Sequence, residues 1–359
     1  MKKFISLIAA LALAFSVFAG CAPADQPASV EETLPSEAAP PSGDLPRLNV
    51  VSTIFPGYDF TREIAGDRVN LTMLISPGAE AHSFEPSPQD IITIQNADLF
   101  IYIGGHTDVW VDRILASMDT TSMTVLPMMG LVEVVKTELA EGMEDDGHGH
   151  GHDDDHDDDH DDDHDDDDDH DDDDDHDDDK YEVSEYDEHV WTSPANAILI
   201  VNAIAQTLAD KDSENADFFL ERAGAYTRQL EEFDAAFRAL RAGAVRDTLV
   251  FGDRFPFRYF VEAYDLRYYA AFTGCSTQTD ASPRTIAFLI DKVNADEIPV
   301  VFQIELSNGR IANAIAEATG ARVLELHTGH NLTREDYDAG VTFLDLLTRN
   351  LASLEEALG

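Results

Sequence analysis

The chain carries 13 histidines, and their neighbours sort them into two groups. Eight fall in one tract: His148, His150, His152, His156, His160, His164, His170 and His176. Glycines separate the first of these, and runs of aspartate separate the rest. Imidazoles and carboxylates at this density make many weak sites for divalent cations. The other five, His82, His106, His189, His327 and His330, sit in segments with regular hydrophobic patterning. Neutral imidazole is the commonest metal ligand, and zinc takes nitrogen and oxygen donors in a tetrahedron. Neither HExxH nor a paired CxxC occurs, so a tight site has to be assembled by the fold from distant positions.

The aspartate runs also dominate the charge. Across 359 residues, 23 Lys and Arg oppose 72 Asp and Glu, a formal net charge of −49. Between Asp153 and Asp179 lie 22 of these acids, and without them the charge is −27. No basic footprint for a phosphate backbone exists, which excludes a nucleic-acid partner. A hydrophobic fraction of 43% supports a sizeable core, and two cysteines are too few for a disulfide scaffold. The tract itself, within residues 141–186, reads as a solvated, self-repelling loop beside the folded part, an auxiliary metal-capturing segment that raises local metal concentration.

The chain begins with Lys2 and Lys3, then an apolar run from Phe4 to Phe18, too short for a membrane span. It ends Phe18-Ala19-Gly20-Cys21. Small residues before a cysteine suit a bacterial lipoprotein signal over residues 1–20, with lipid then carried by the Cys21 thiol. An ordinary secretory signal with an incidental Cys21 is the other reading. Residues 21–46, rich in Ala, Pro, Ser and Glu, read as a flexible tether. Together they place the folded part at the extracytoplasmic face of a bacterial membrane, lipid-anchored. Lipidation of Cys21 would leave Cys275 without an intramolecular disulfide partner.

What positions the five histidines is an alternation of short apolar runs with amphipathic segments. Strands are expected at 47–53, 69–75, 99–103 and 123–126, with helices between them. The same order returns at 248–251, 267–272, 300–303 and 322–326, with a last helix over 334–358. Alternating strands and helices make a parallel sheet covered on both faces. The fold class is therefore α/β, with two parallel-sheet lobes. The first lobe spans 47–212 and the second 244–359. Residues 213–243 carry Leu230, Phe233, Phe237 and Leu240 on one helical face, with Ser213 as the cap. A helix of roughly 30 residues is about 45 Å long, enough to join two lobes rigidly. Ligands of such folds sit beyond the carboxyl ends of the strands, here in the cleft between lobes. His82 (in PGAEAHSFEPSPQD), His106 and His327 fall at such ends, and His189 (in DEHVWTSP) lies before a helix at the end of the first lobe, whereas His330 reads most simply as a loop-surface residue.

With these residues in view, the chain resembles the metal-binding solute-binding lipoproteins of bacterial zinc and manganese ABC importers. The likeness covers about Arg47 to Gly359. It is carried by STIFPGYDFTREIAGD, PGAEAHSFEPSPQDI, NADLFIYIGG followed by VWVD, and DEHVWTSP. The resemblance implies two α/β lobes joined by one long helix, with a single divalent metal between them. It matches His82 and His189 to the first two ligand histidines. The third ligand position falls on Arg254, which cannot bind a cation, and the fourth on His327. The implied set is His82, His189 and His327, with Asp253, Glu305 or a water as the fourth ligand. A His/Asp-rich loop before the second histidine is typical of the zinc members, and three imidazoles favour Zn2+ over the alternative, Mn2+.

The function implied is capture of zinc outside the membrane and delivery to the permease of an ABC importer, with no enzymatic activity. Two other classes stay open at this point. One is an extracellular zinc hydrolase, which needs an open coordination position and a base such as Asp253 or Glu305. The other is a surface metal-storage or adhesion protein, with the Asp/His tract as its main feature.

Overall fold

The computed structural model describes residues 47–81, 83–143, 186–276 and 280–359. The leader, Cys21, the tether, His82 and all eight tract histidines lie outside the described residues.

In the first lobe, β1 (Leu48–Ser52), β2 (Val69–Met73), β3 (Leu99–Tyr102) and β4 (Thr124–Pro127) form one parallel sheet in the order β2-β1-β3-β4. Every residue of β3, LFIY, is buried, as a parallel strand with both faces covered requires. The crossovers are α1 (Phe55–Ala65), α2 (Pro88–Gln95) and α3 (Val109–Ala116). α1 lies tight on the sheet at Gly57, where a Cβ would come within 2.5 Å of Ser52 Oγ and 2.8 Å of Ile101 Cγ2.

Two antiparallel helices follow, α4 (Pro194–Lys211) and α5 (Ala216–Gly243). α5 has 28 residues, about 42 Å at 1.5 Å per residue. It buries Phe219, Ala223, Tyr226, Leu230 and Phe237, one face of the helix. Its start differs from the expected cap at Ser213. The turn is organised by Asp212, whose carboxylate accepts from Asn215 N at 3.2 Å and Asn215 Nδ2 at 2.6 Å.

The second lobe repeats the first. Here β5 (Thr248–Phe255), β6 (Arg267–Thr273), β7 (Val300–Gln303) and β8 (Arg322–Glu325) run parallel in the order β6-β5-β7-β8. The helices are α6 (Arg258–Ala263), α7 (Pro283–Ala295) and α8 (Arg310–Thr319). β5 runs four residues past the expected end, with a register shift between Phe251 and Arg254. The expected last helix is two, α9 (Arg334–Asp338) and α10 (Phe343–Leu358). Gly340 at φ +75° breaks it, and a reciprocal cap between Thr342 and Asp345 restarts it. The break frees Phe343 N to donate to the buried carboxylate of Asp59 at 2.8 Å, a bond between lobes.

One apolar cluster runs through both lobes, including Phe60, Trp191, Phe219, Phe237, Phe251 and Phe343. Smaller clusters lie around Val51, Ile94 and Phe100 in the first lobe and around Val250, Leu289 and Ile311 in the second. A core shared across the lobes opposes wide hinge opening, because separation would expose it to water. No helix among the described residues is long and apolar enough to cross a membrane.

Candidate metal centre

In both sheets the strand order reverses beside the first strand of the lobe, between β1 and β3 and between β5 and β7. Loops leaving the carboxyl ends therefore diverge there and leave a crevice. A cavity of about 30 Å3 lies between the lobes at these ends. Ala79–Ala81 wall it from the first lobe, Arg254 and Glu305 from the second, and His189 and His330 from their own loops.

His189 is held by its own neighbourhood. Asp187 Oδ1 accepts from His189 N at 2.9 Å and lies 3.1 Å from His189 Nδ1. Both side chains are almost wholly buried, at 2% and 1% exposure. In the tautomer whose Nδ1–H donates to the carboxylate, the ring's lone pair lies on Nε2. Asp187 is fixed in turn from the second lobe, because Tyr259 Oη donates to Asp187 O at 2.7 Å. Burial pushes the Tyr259 phenol up to about 12, so it stays a donor. Gly274 admits the imidazole: a Cβ there would stand 3.2 Å from His189 Cε1 and 2.9 Å from Phe255 O.

The second imidazole belongs to His330, not to His327. The rings of His189 and His330 meet edge to face, 5.6 Å between centroids, and Trp191 packs 5.2 Å from His330. The expected surface position of His330 is thus overturned, since the residue is buried. His327 faces away, into a separate cavity of about 10 Å3 beneath α10, beside Phe343, Leu346 and Asn350. Its backbone N donates to Asn350 Oδ1 at 2.8 Å, its carbonyl accepts from Asn350 Nδ2 at 2.7 Å, and its Nδ1 accepts from Gly329 N at 3.0 Å. Gly329, at φ +74°, makes the reversal that separates the two rings, and a Cβ there would meet Phe343 at 2.9 Å.

Glu305 builds this turn. Its Oε2 accepts from Thr328 N at 2.8 Å, and its Oε1 accepts from His330 N at 3.2 Å and from the Thr328 hydroxyl. The carboxylate expected as a fourth ligand is therefore engaged in holding the loop that bears His330. Trp191 Nε1 donates to Thr328 O at 2.9 Å and ties the same loop to the His189 segment.

Asp253, the other expected fourth ligand, does not line the cavity. It accepts from Arg254 N at 2.8 Å and Ile304 N at 3.4 Å, and burial raises its pKa. Arg254 does line the cavity, and its guanidinium reaches Glu80 of the first lobe, Nη2 to Oε2, at 3.2 Å. His106 lies exposed on a single helical turn, His106–Asp108. Among the described residues no three His, Cys, Asp or Glu side chains form a metal-sized group. His82, which the sequence places in the loop beyond Ala81, lies outside them.

Sequence reasoning read His330 as a surface residue and did not single out Asp187. An acid two residues ahead of a candidate ligand, as in DEH, was a usable signal for the second. The glycine in HTGH was one for the first, since it marks a chain reversal.

Comparison with known proteins agrees with this architecture. The family model for ZnuA, the periplasmic zinc-uptake complex component A, matches residues 50–357. The zinc-binding lipoprotein AdcA of Streptococcus pneumoniae (strain ATCC BAA-255 / R6) is 28% identical over 314 residues, which is 86% of this chain and 56% of AdcA. The chain thus spans little more than half the length of that relative. The high-affinity zinc uptake system protein ZnuA of Bacillus subtilis (strain 168) is 27% identical over 313 residues, 87% of this chain and 88% of ZnuA. Among solved structures, the Zn(II)-bound ZnuA-like domain of Streptococcus pneumoniae AdcA superposes with a TM-score of 0.66 at 26% identity, covering 87% of this chain and 99% of that domain. With two parallel-sheet lobes, a joining helix and a family match over almost all of the described residues, the chain belongs to the ZnuA family of periplasmic zinc-uptake components.

Proposed function

We propose that the chain captures one zinc ion outside the cell membrane and hands it to the permease of an ABC importer. The observation that carries this reading is the pair of buried imidazoles, His189 and His330, in a cavity between lobes, with His189 oriented by Asp187. His82 completes three imidazole donors in this reading, and a water or a carboxylate supplies a fourth. A cavity of about 30 Å3 has room for an ion and a water-sized ligand. Nitrogen donors favour zinc over manganese, which prefers carboxylate. The pneumococcal and Bacillus relatives, both named for zinc, support the same cargo.

Cys21 carries the lipid anchor in this reading, and the 148–176 histidines act as an antenna that raises zinc concentration near the cleft. The hydrolase reading loses support from the same geometry. Of the two bases it could use, Glu305 is engaged by the 328–330 backbone and Asp253 does not line the cavity. Calorimetric titration of the mature chain, with and without residues 141–186, tests the proposal. One tight zinc site that survives the deletion, with manganese far weaker, is the expected result. Only weak, multiple binding that vanishes with the tract would overturn it.

A further inference from the structure

The cavity wall contributed by the first lobe is the loop after β2, and two different kinds of bond fasten it to the second lobe. One set is uncharged and reaches out from the buried Asn331–Leu332 segment. Asn331 Nδ2 donates to Ser76 O and to Ala79 O, each at 2.9 Å, and Gly78 N donates to Leu332 O at 2.7 Å. The other is the ion pair of Glu80 with Arg254. The guanidinium meets the carboxylate at two points, Nη2 to Oε2 at 3.2 Å and Nη1 to Oε1 at 3.4 Å.

Arg254 is anchored on its own side. Its Nη1 also reaches Ser276 O at 3.4 Å, and its backbone N is held by Asp253. Its side chain is 15% exposed and that of Glu80 45%, so water and salt reach the pair from the Glu80 side. A fixed positive charge in the wall of a cation cavity opposes binding unless it is neutralised. Glu80 supplies the neutralising charge and comes from the opposite lobe.

We propose that the Arg254–Glu80 pair is a releasable clasp across the mouth of the cavity. It holds the loop that leads into His82 against the second lobe, and it sets how fast the ion escapes. The Asn331 bonds keep the base of the loop in register when the clasp opens. Arg254 is then a positioning residue, acting on the ion through the loop. This inference rests on the zinc-site reading above.

The test compares two single variants of the full chain, Glu80→Gln and Arg254→Ala, in chelator-driven zinc release. A clasp makes both release zinc faster, by about fivefold, the size expected of a partly exposed ion pair. A simple charge effect makes them move in opposite directions, since one removes a negative charge near the ion and the other a positive one. The clasp also predicts that the wild-type chain approaches the variants' rate at about 1 M salt, where screening shortens to about 3 Å. Amide exchange over residues 77–81 in the metal-free chain, read by mass spectrometry, should quicken in both variants. Opposite shifts in release, or unchanged exchange in both variants, would overturn the clasp. Should the wild-type chain hold no zinc at all, the site reading fails, and loop exchange alone decides the clasp.

Discussion

Asp187 and His189 face each other two residues apart, carboxylate oxygen to Nδ1 at 3.1 Å, both out of contact with solvent. A buried imidazole so tethered has its ring orientation fixed from within the protein. His189→Ala should lower zinc affinity by orders of magnitude with little change in far-ultraviolet circular dichroism. Asp187→Asn keeps the shape but weakens the hold on Nδ1–H. It should cost about 10- to 100-fold in affinity, the usual range for an orienting partner. Equal zinc affinity in wild type and Asp187→Asn, measured by chelator competition, would remove Asp187 from the site.

His327 and His330 make a sharper contrast. His330→Ala should abolish tight zinc binding. His327→Ala should leave the affinity within about threefold, because that ring faces the cavity beneath α10. Its cost appears in stability instead, about 1–3 kcal/mol for emptying a buried position. Urea unfolding and zinc titration of the two variants would separate these roles. The resemblance-based set of His82, His189 and His327 predicts the opposite order.

That exchange of roles marks where the sequence stops being legible. All eight strands and both lobes could be read, because parallel strands covered on both faces are continuous apolar runs such as LFIY and VVFQ. The place of His189 at the cavity was readable as well, from DEHVWTSP before a helix. The direction of His330 was not. It depends on Gly329 at positive φ and on Glu305, which lies 25 residues from His330 in sequence and meets it only in the folded chain. The Arg254–Glu80 pair, 174 residues apart, is likewise a product of how the lobes dock. The broken last helix follows a local rule, a glycine and then a capping box, that the long apolar periodicity concealed.

Two buried carboxylates give the fold a pH dependence of known sign. Burial pushes Asp108 up to about 7, with nearby Glu188 pushing the same way, and burial pushes Asp59 up to about 6 despite Arg62. Each binds its proton more tightly folded than unfolded. Their contribution to stability is therefore full below the ordinary aspartate value of 3.8 and is lost as pH rises to the folded values of about 6 and about 7. Ile103 N, at 2.6 Å, and Gly104 N, at 3.4 Å, both donate to the same oxygen of Asp108, so an amide oxygen can replace it. Asp108→Asn should then be more stable than wild type at pH 7.5, by up to a few kcal/mol, since a tenfold change in proton affinity is worth about 1.4 kcal/mol. The advantage should shrink toward pH 5. A difference between the two unfolding free energies that stays constant from pH 5 to 7.5 would show that Asp108 does not titrate in this range.

Glu305 can be tested for whether it holds the loop or touches the ion. Three donors, Thr328 N, the Thr328 hydroxyl and His330 N, converge on its two oxygens. Glu305→Gln replaces one acceptor by an NH2 group that opposes a donor, leaving a buried clash worth about 1–3 kcal/mol. If the carboxylate holds the turn, the metal-free variant unfolds at lower urea and zinc affinity falls with it, because His330 is no longer fixed. If it were instead a direct ligand, the metal-free protein would keep its stability and only the affinity would fall. Measuring urea midpoints of the metal-free chains first, and zinc affinity second, assigns the residue. The three hydrogen bonds, which occupy both carboxylate oxygens, favour the first outcome.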